Sequence, residues 1–208
     1  MKRRFDLRVF RAETRRAFSL MELLVVLAIL GLLAALAAPA LVGSLSGTRL
    51  TTAGQSVQDA LALARQTAVS RGATVEVRWY KFAGSHGGAP RYRAMQTFLL
   101  LSGTAKPLDR GLPLPSGVML SEIPERSPFL HSSNHPETPV PAGESHPGRG
   151  ADTRYRAFRF SPRGAVDLAA GENHFTLVPE RESEEEPGAN FVTLQIQPIS
   201  GGVREFRP

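Results

Sequence analysis

The 208 residues suffice for one domain plus an appendage, and nothing in their pattern asks for a second core. The absence of cysteine excludes disulfides and thiolate metal sites. The net charge of +6 is concentrated in residues 1–17, where Lys2, Arg3, Arg4, Arg8, Arg11, Arg15 and Arg16 face only Asp6 and Glu13; the near-neutral remainder argues against a body that coats nucleic acid.

After this basic leader the chain carries no charged side chain from Leu23 to Leu45, and the next charge after Glu22 is Arg49. As a helix such a run spans a bilayer, which takes roughly 20 residues. The arginine-rich side is expected to stay cytoplasmic, sending the C-terminal body outward. An ordinary signal peptide is the competing reading, because "APALVGS" offers small residues for cleavage, and it would leave a soluble exported protein. Glu22 stands at the edge of the apolar run; a carboxylate inside the membrane costs about 2.5–3.5 kcal/mol on insertion scales, and less near the interface.

Beyond the run the pattern turns amphipathic. Val57, Leu61, Ala64 and Ala68 mark one helical face, with Arg49, Gln55, Asp59 and Arg65 elsewhere. The spacing predicts one helix over 18–71, its membrane span about 23–45 and its amphipathic half about 48–71, stopped by Gly72. Pro39, Gly43, Gly47 and Gly54 are positions where it is expected to bend or locally melt.

From residue 74 the period becomes two. "TVEVRWYKF" alternates Val75, Val77 and Trp79 with Glu76, Arg78 and Tyr80, as a half-buried strand does, and the glycine-rich "AGSHGGAP" connects it to "RYRAMQTFLLL". Further strands are expected in "VMLSEI", "RYRAFRF", "AVDLA", "HFTLV", "NFVTLQI" and "VREF". The fold class is α+β: a long N-terminal helix on an antiparallel sheet within a β-rich body, residues 72–208. The expected core is Val77, Trp79, Phe98, Leu100, Phe158, Phe160, Phe175, Leu177, Phe191, Leu194 and Ile196. Residues 124–153, rich in Pro, Ser, Gly and His, are expected to form a long mobile insertion outside the core, and the acidic "ERESEEEPG" a solvated turn.

Catalytic and metal chemistry find no pattern here. His131 and His135 have a ligand-like spacing, but "HSSNHP" opposes a helix, and no HExxH, GxSxG or P-loop is present. No metal, cofactor or enzymatic activity is expected. Arg154, Arg156, Arg159 and Arg163 are expected to form a solvated face, with Arg154 and Arg156 opposite Tyr155.

"AFSLMELLVVLAILGLLAALAAP", residues 17–39, resembles the N-terminal motif of type IV pilin-like proteins and type II secretion pseudopilins. The resemblance implies that a prepilin peptidase and N-methyltransferase cuts between Ala17 and Phe18 and methylates Phe18. Counted from Phe18, Glu22 is the fifth residue and Pro39 the twenty-second, both family positions; Ala17 departs from the usual glycine. Glu22 is then implied to meet the N-terminal ammonium of a neighbouring subunit during assembly.

The body adds "LARQTAVSRGATVEV", "FRFSPRG" and "GGVREF", similar to H-type minor pseudopilins and FimT-like pilins. More narrowly, "YRAFRFSPRGAVDL" and "NFVTLQIQPISGGVREFRP" look like the Verru_Chthon cassette protein D family, also pilin-like. The implied partners are the processing enzyme, other pilin or pseudopilin subunits and inner-membrane lipid, without generic nucleic-acid binding. The leading function is a structural subunit of a pilus or pseudopilus. A pilin-like binding module contacting DNA, exported protein or surfaces is the alternative, and a membrane-anchored enzyme a third class.

Overall fold

The computed structural model describes residues 19–84, 87–148, 152–180 and 188–208, with the backbone alone for 36–46 and 87. The chain divides into two compact units, one ending at Gly43 and the other running Ser44–Pro208. The helix α1 spans Leu20–Arg71, and its backbone stays helical through Pro39. Its second half buries Leu50, Ala53, Val57, Leu61, Ala64 and Ala68, the predicted stripe extended by about two turns at its start. Gly54 is a site of close approach and not a weak point. A Cβ there would lie 2.9 Å from Val192 Cγ1. α1 ends where Gly72 takes φ +57°, a left-handed turn that glycine adopts without a Cβ clash. The Ala73 N–H then donates to Ala68 O at 3.2 Å.

The body contains two antiparallel sheets, where the alternation alone pointed to one. The first holds β1 (Thr74–Gly84), β2 (Gly87–Leu101), β3 (Thr104–Pro107), β4 (Leu112–Pro113), β6 (Thr138–Pro139) and β7 (Arg154–Phe160). Its order is β3-β2-β1-β7-β6, with β4 on β2. The second runs β10-β9-β8-β5, from β10 (Val203–Phe206) through β9 (Val192–Ile196) and β8 (His174–Pro179) to β5 (Val118–Leu120). "AVDLA" forms no strand of its own; only Val166 bridges to Phe160.

Val75, Val77 and Trp79 face the main core, shared with the α1 stripe, Phe158, Phe160, Phe175, Leu177, Leu194 and Ile196. Three expected core residues sit differently. Phe98 pairs with Glu76 across β1 and therefore lies on the opposite face, in a second cluster with Tyr80 and Ala94. The cause is a register shift: Tyr80 faces Ala94 while Lys81 faces Tyr92, so Arg93 is an extra residue and reverses the alternation along β2. Leu100 and Phe191 are only half-buried, Phe191 lying under the Arg126 guanidinium at 4.6 Å.

Residues 124–148, expected outside the core, instead build part of it. A short 3₁₀ turn, Pro128–His131, buries Phe129 and Leu130. Phe129 meets Phe158 of the first sheet at 5.9 Å and Phe175 of the second at 5.8 Å, both edge-on, and so joins the two sheets. Downstream, Val140 packs on the second cluster, and His146 stacks on Tyr80 at 5.7 Å.

The outer edge of β7 is closed in steps. Thr138 and Pro139 pair with Tyr155 and Arg154, and the Val140 N–H donates to Thr153 O at 3.2 Å. Next, the His135 ring contacts Ala157 O through Nδ1 at 2.8 Å. Finally, Asp167 accepts from the Arg159 N–H through Oδ1 at 2.7 Å and donates its own N–H to Arg159 O at 3.1 Å.

Candidate processing and assembly site

Ser19 caps the start of α1. Its Oγ accepts from the Met21 N–H at 3.2 Å, and its carbonyl accepts from the Leu23 N–H at 3.1 Å. Glu22 falls in the first turn, three residues after the cap, where a carboxylate complements the positive end of the helix dipole. The side chain is exposed. Ala17 and Phe18 lie outside the described residues, as does the Pro39 side chain. Glu22 is therefore the one expected processing or assembly residue whose side-chain surroundings are described.

Every described side chain from 19 to 35 is exposed, including Leu20, Leu23, Leu24, Val25, Val26 and Leu27. This differs sharply from the second half of α1, which buries one stripe and leaves its other positions half-buried or exposed. Apolar surface of that extent calls for lipid or another apolar surface around it. Among the described residues no helix is long and apolar enough to cross a membrane. The expected span, 23–45, continues into 36–45, whose side chains lie outside the described residues.

The histidine and arginine motifs of the body are not brought together as a site. His131 Nε2 meets Glu122 O at 2.7 Å while His135 turns to Ala157 O, so the two rings serve different backbone carbonyls. Among the described residues no cluster of three His, Asp or Glu side chains is arranged to hold a metal. Arg156 is drawn inward, donating through Nη1 to Ser132 O at 3.2 Å and to His135 O. Arg159 Nε pairs with Glu76 Oε2 at 2.8 Å, and Arg154 stands 3.9 Å from Glu137. Arg156 is thus held by carbonyls, whereas Arg154 and Arg159 keep more than half of each side chain exposed, as expected of a solvated face.

One charged group escaped the sequence reading. Glu76 and Arg78, assigned by alternation to solvent, are both buried, and Arg78 Nε pairs with Glu76 Oε1 at 2.6 Å. The guanidinium lies between the Phe98 ring at 4.1 Å and the Tyr155 ring at 4.4 Å, and its Nη1 pairs with Glu144. Burial works against its charge, but Glu76 and Glu144 outweigh that and hold its pKa above the ordinary arginine value. Burial also pushes the hydroxyls of Tyr80, Tyr92 and Tyr155 up.

Residues 14–38 match the family model described as the prokaryotic N-terminal methylation motif. The match takes in Ala17, Phe18, Ser19 and Glu22 and ends one residue before Pro39. No curated protein matches the chain. Among solved structures, the chain is similar to the minor pseudopilin EpsH from the type 2 secretion system of Vibrio cholerae, with 14% identity and a TM-score of 0.41 over 77% of this chain and 98% of that one. A second EpsH structure gives 15% identity and a TM-score of 0.43 over 77% and 95%. The type IV minor pilin FimU of Pseudomonas aeruginosa gives 13% and 0.41 over 77% and 89%. So distant a likeness decides nothing about what the chain does.

Proposed function

We propose that the chain is a pilin-like structural subunit, a minor pilin or pseudopilin, made as a precursor and assembled into a type IV pilus or a type II secretion pseudopilus. The observation that carries this reading is the start of α1. A capped helix with one acid in its first turn is followed by exposed apolar side chains through residue 35, all within or beside the matched methylation motif. A prepilin peptidase cuts between Ala17 and Phe18 and methylates the new N-terminus. The anchor then holds the subunit in the bacterial inner membrane, leader side cytoplasmic and body periplasmic, until assembly. Glu22 docks on the Phe18 ammonium of an adjacent subunit, which offsets the cost of a carboxylate near hydrocarbon.

Mass spectrometry of the membrane-extracted protein tests this. A mature chain beginning with N-methylated Phe18 is expected; an intact Met1, or cleavage near Ala40, in cells containing the peptidase overturns it. The docking role is tested by Glu22→Val, expected to be inserted and cleaved but missing from purified filaments, with Glu22→Asp intermediate. Normal incorporation of the valine variant rules out Glu22 as the docking charge.

A further inference from the structure

Nothing in the composition of the leader stops a helix. The chain has neither glycine nor proline before Gly31, and residues 11–17, "RAETRRA", are mostly arginine, alanine and glutamate, which are good helix formers. Ala17 itself favours a helix more than the glycine usual at that position of the motif. By propensity alone α1 could therefore run back across the bond between Ala17 and Phe18. Hydrolysis there needs water to add to the Ala17 carbonyl carbon and the bond to the Phe18 nitrogen to break, leaving a carboxylate and an ammonium. In an α-helix each carbonyl accepts from the N–H four residues on, and for Ala17 that donor is Met21.

The structure spends that donor elsewhere. α1 begins at Leu20, and the Met21 N–H donates to Ser19 Oγ at 3.2 Å. The helical ladder opens with the Leu23 N–H on Ser19 O at 3.1 Å. Ser19 is thus the N-cap and Met21 the second helical residue, an arrangement that serine and asparagine favour and alanine does not. The one N–H that a longer helix would direct at the scissile carbonyl is the one that the serine hydroxyl holds.

We propose that Ser19 is a positioning residue for processing: by capping α1 it keeps the Met21 N–H from the Ala17 carbonyl and leaves that carbonyl to the peptidase. The inference rests on the cleavage reading given above. The full precursor in detergent micelles is incubated with a purified prepilin peptidase, and release of the leader is timed by mass spectrometry. Ser19→Ala is expected to lower kcat/KM by about fivefold, from the usual worth of an N-cap. Ser19→Asn, which has no hydroxyl but caps as well as serine, should cleave near the wild-type rate. Ala17→Gly should speed the Ser19→Ala chain more than it speeds the wild type, because glycine weakens a helix only where one has formed. In the uncleaved precursor, the ¹³C carbonyl resonance of Ala17 should move toward its helical position in Ser19→Ala and not in Ser19→Asn. Equal cleavage of Ser19→Ala and the wild type, a loss in Ser19→Asn as large as in Ser19→Ala, equal gains from Ala17→Gly in both backgrounds, or an unmoved Ala17 resonance overturns this inference and leaves the cleavage reading standing. A wild-type precursor that is not cut at all overturns both.

Discussion

On one face of β1, Val75, Val77 and Trp79 enter a core built by α1, both sheets and the turn at Phe129; on the other, Glu76, Arg78 and Tyr80 lie as deeply, against Glu144 and His146. The first face is held by apolar contact, which is non-directional and tolerates a conservative exchange. The second is held by paired charges and rings, where removing one partner leaves the other buried and unpaired. The two faces should therefore fail differently, which denaturant titration of the full chain in detergent micelles can show.

The largest effect is expected from deleting residues 124–148, which strips Phe129 and Leu130 from the main core and Glu144 from Arg78 at once. The deleted chain should show no cooperative unfolding transition by circular dichroism; a wild-type transition would mean that neither face depends on the segment. Trp79→Ala, on the apolar face, is expected to cost about 3–5 kcal/mol. Glu76→Gln, nearly isosteric, tests the polar face: leaving Arg78 and Arg159 without their shared carboxylate should cost about 3 kcal/mol. A loss below about 0.5 kcal/mol would mean that the buried charges are not coupled, by the usual scale of surface changes.

Alkaline pH probes both faces together, because Tyr80 lies on the polar side and Tyr92 on the apolar side, where its hydroxyl donates to Glu137 at 2.9 Å. Burial raises both pKa values, and Glu137 adds to the effect on Tyr92. In the unfolded chain a tyrosine loses its proton near pH 10 while the folded chain still holds it. Stability is thus complete below about pH 10 and falls above it, by up to about 1.4 kcal/mol per pH unit for each tyrosine. Tyr92→Phe should make the decline shallower, and an unchanged slope would show that Tyr92 ionises freely in the fold. The smallest effect is expected from Glu144→Gln, about 1 kcal/mol, since its side chain is 21% exposed and water can serve Arg78 in its place.

The helical face and its stop at Gly72 were legible because both are local: a 3.6-residue period and one residue suited to a left-handed turn. β1 likewise showed which side chains point together. It could not show that Glu76 and Arg78 are covered, because Glu144, which closes over them, lies 66 residues beyond Arg78. Phe98 was placed on the wrong face because the extra residue at Arg93 leaves no mark in an otherwise strand-like run. Phe129 was hidden by composition, a single aromatic anchor in a segment otherwise rich in proline, serine and histidine. Glu22 stood out because its motif is contiguous.

The closed edge of β7 bears on how copies of the body meet. A strand edge left open is a template that another chain can extend. Along β7 the backbone positions that would invite such pairing are already engaged by Thr138–Pro139, the His135 ring and Asp167. Contact between bodies on this side must then be made by side chains. Such contact discriminates among neighbours and can be undone, whereas a growing backbone ladder would do neither.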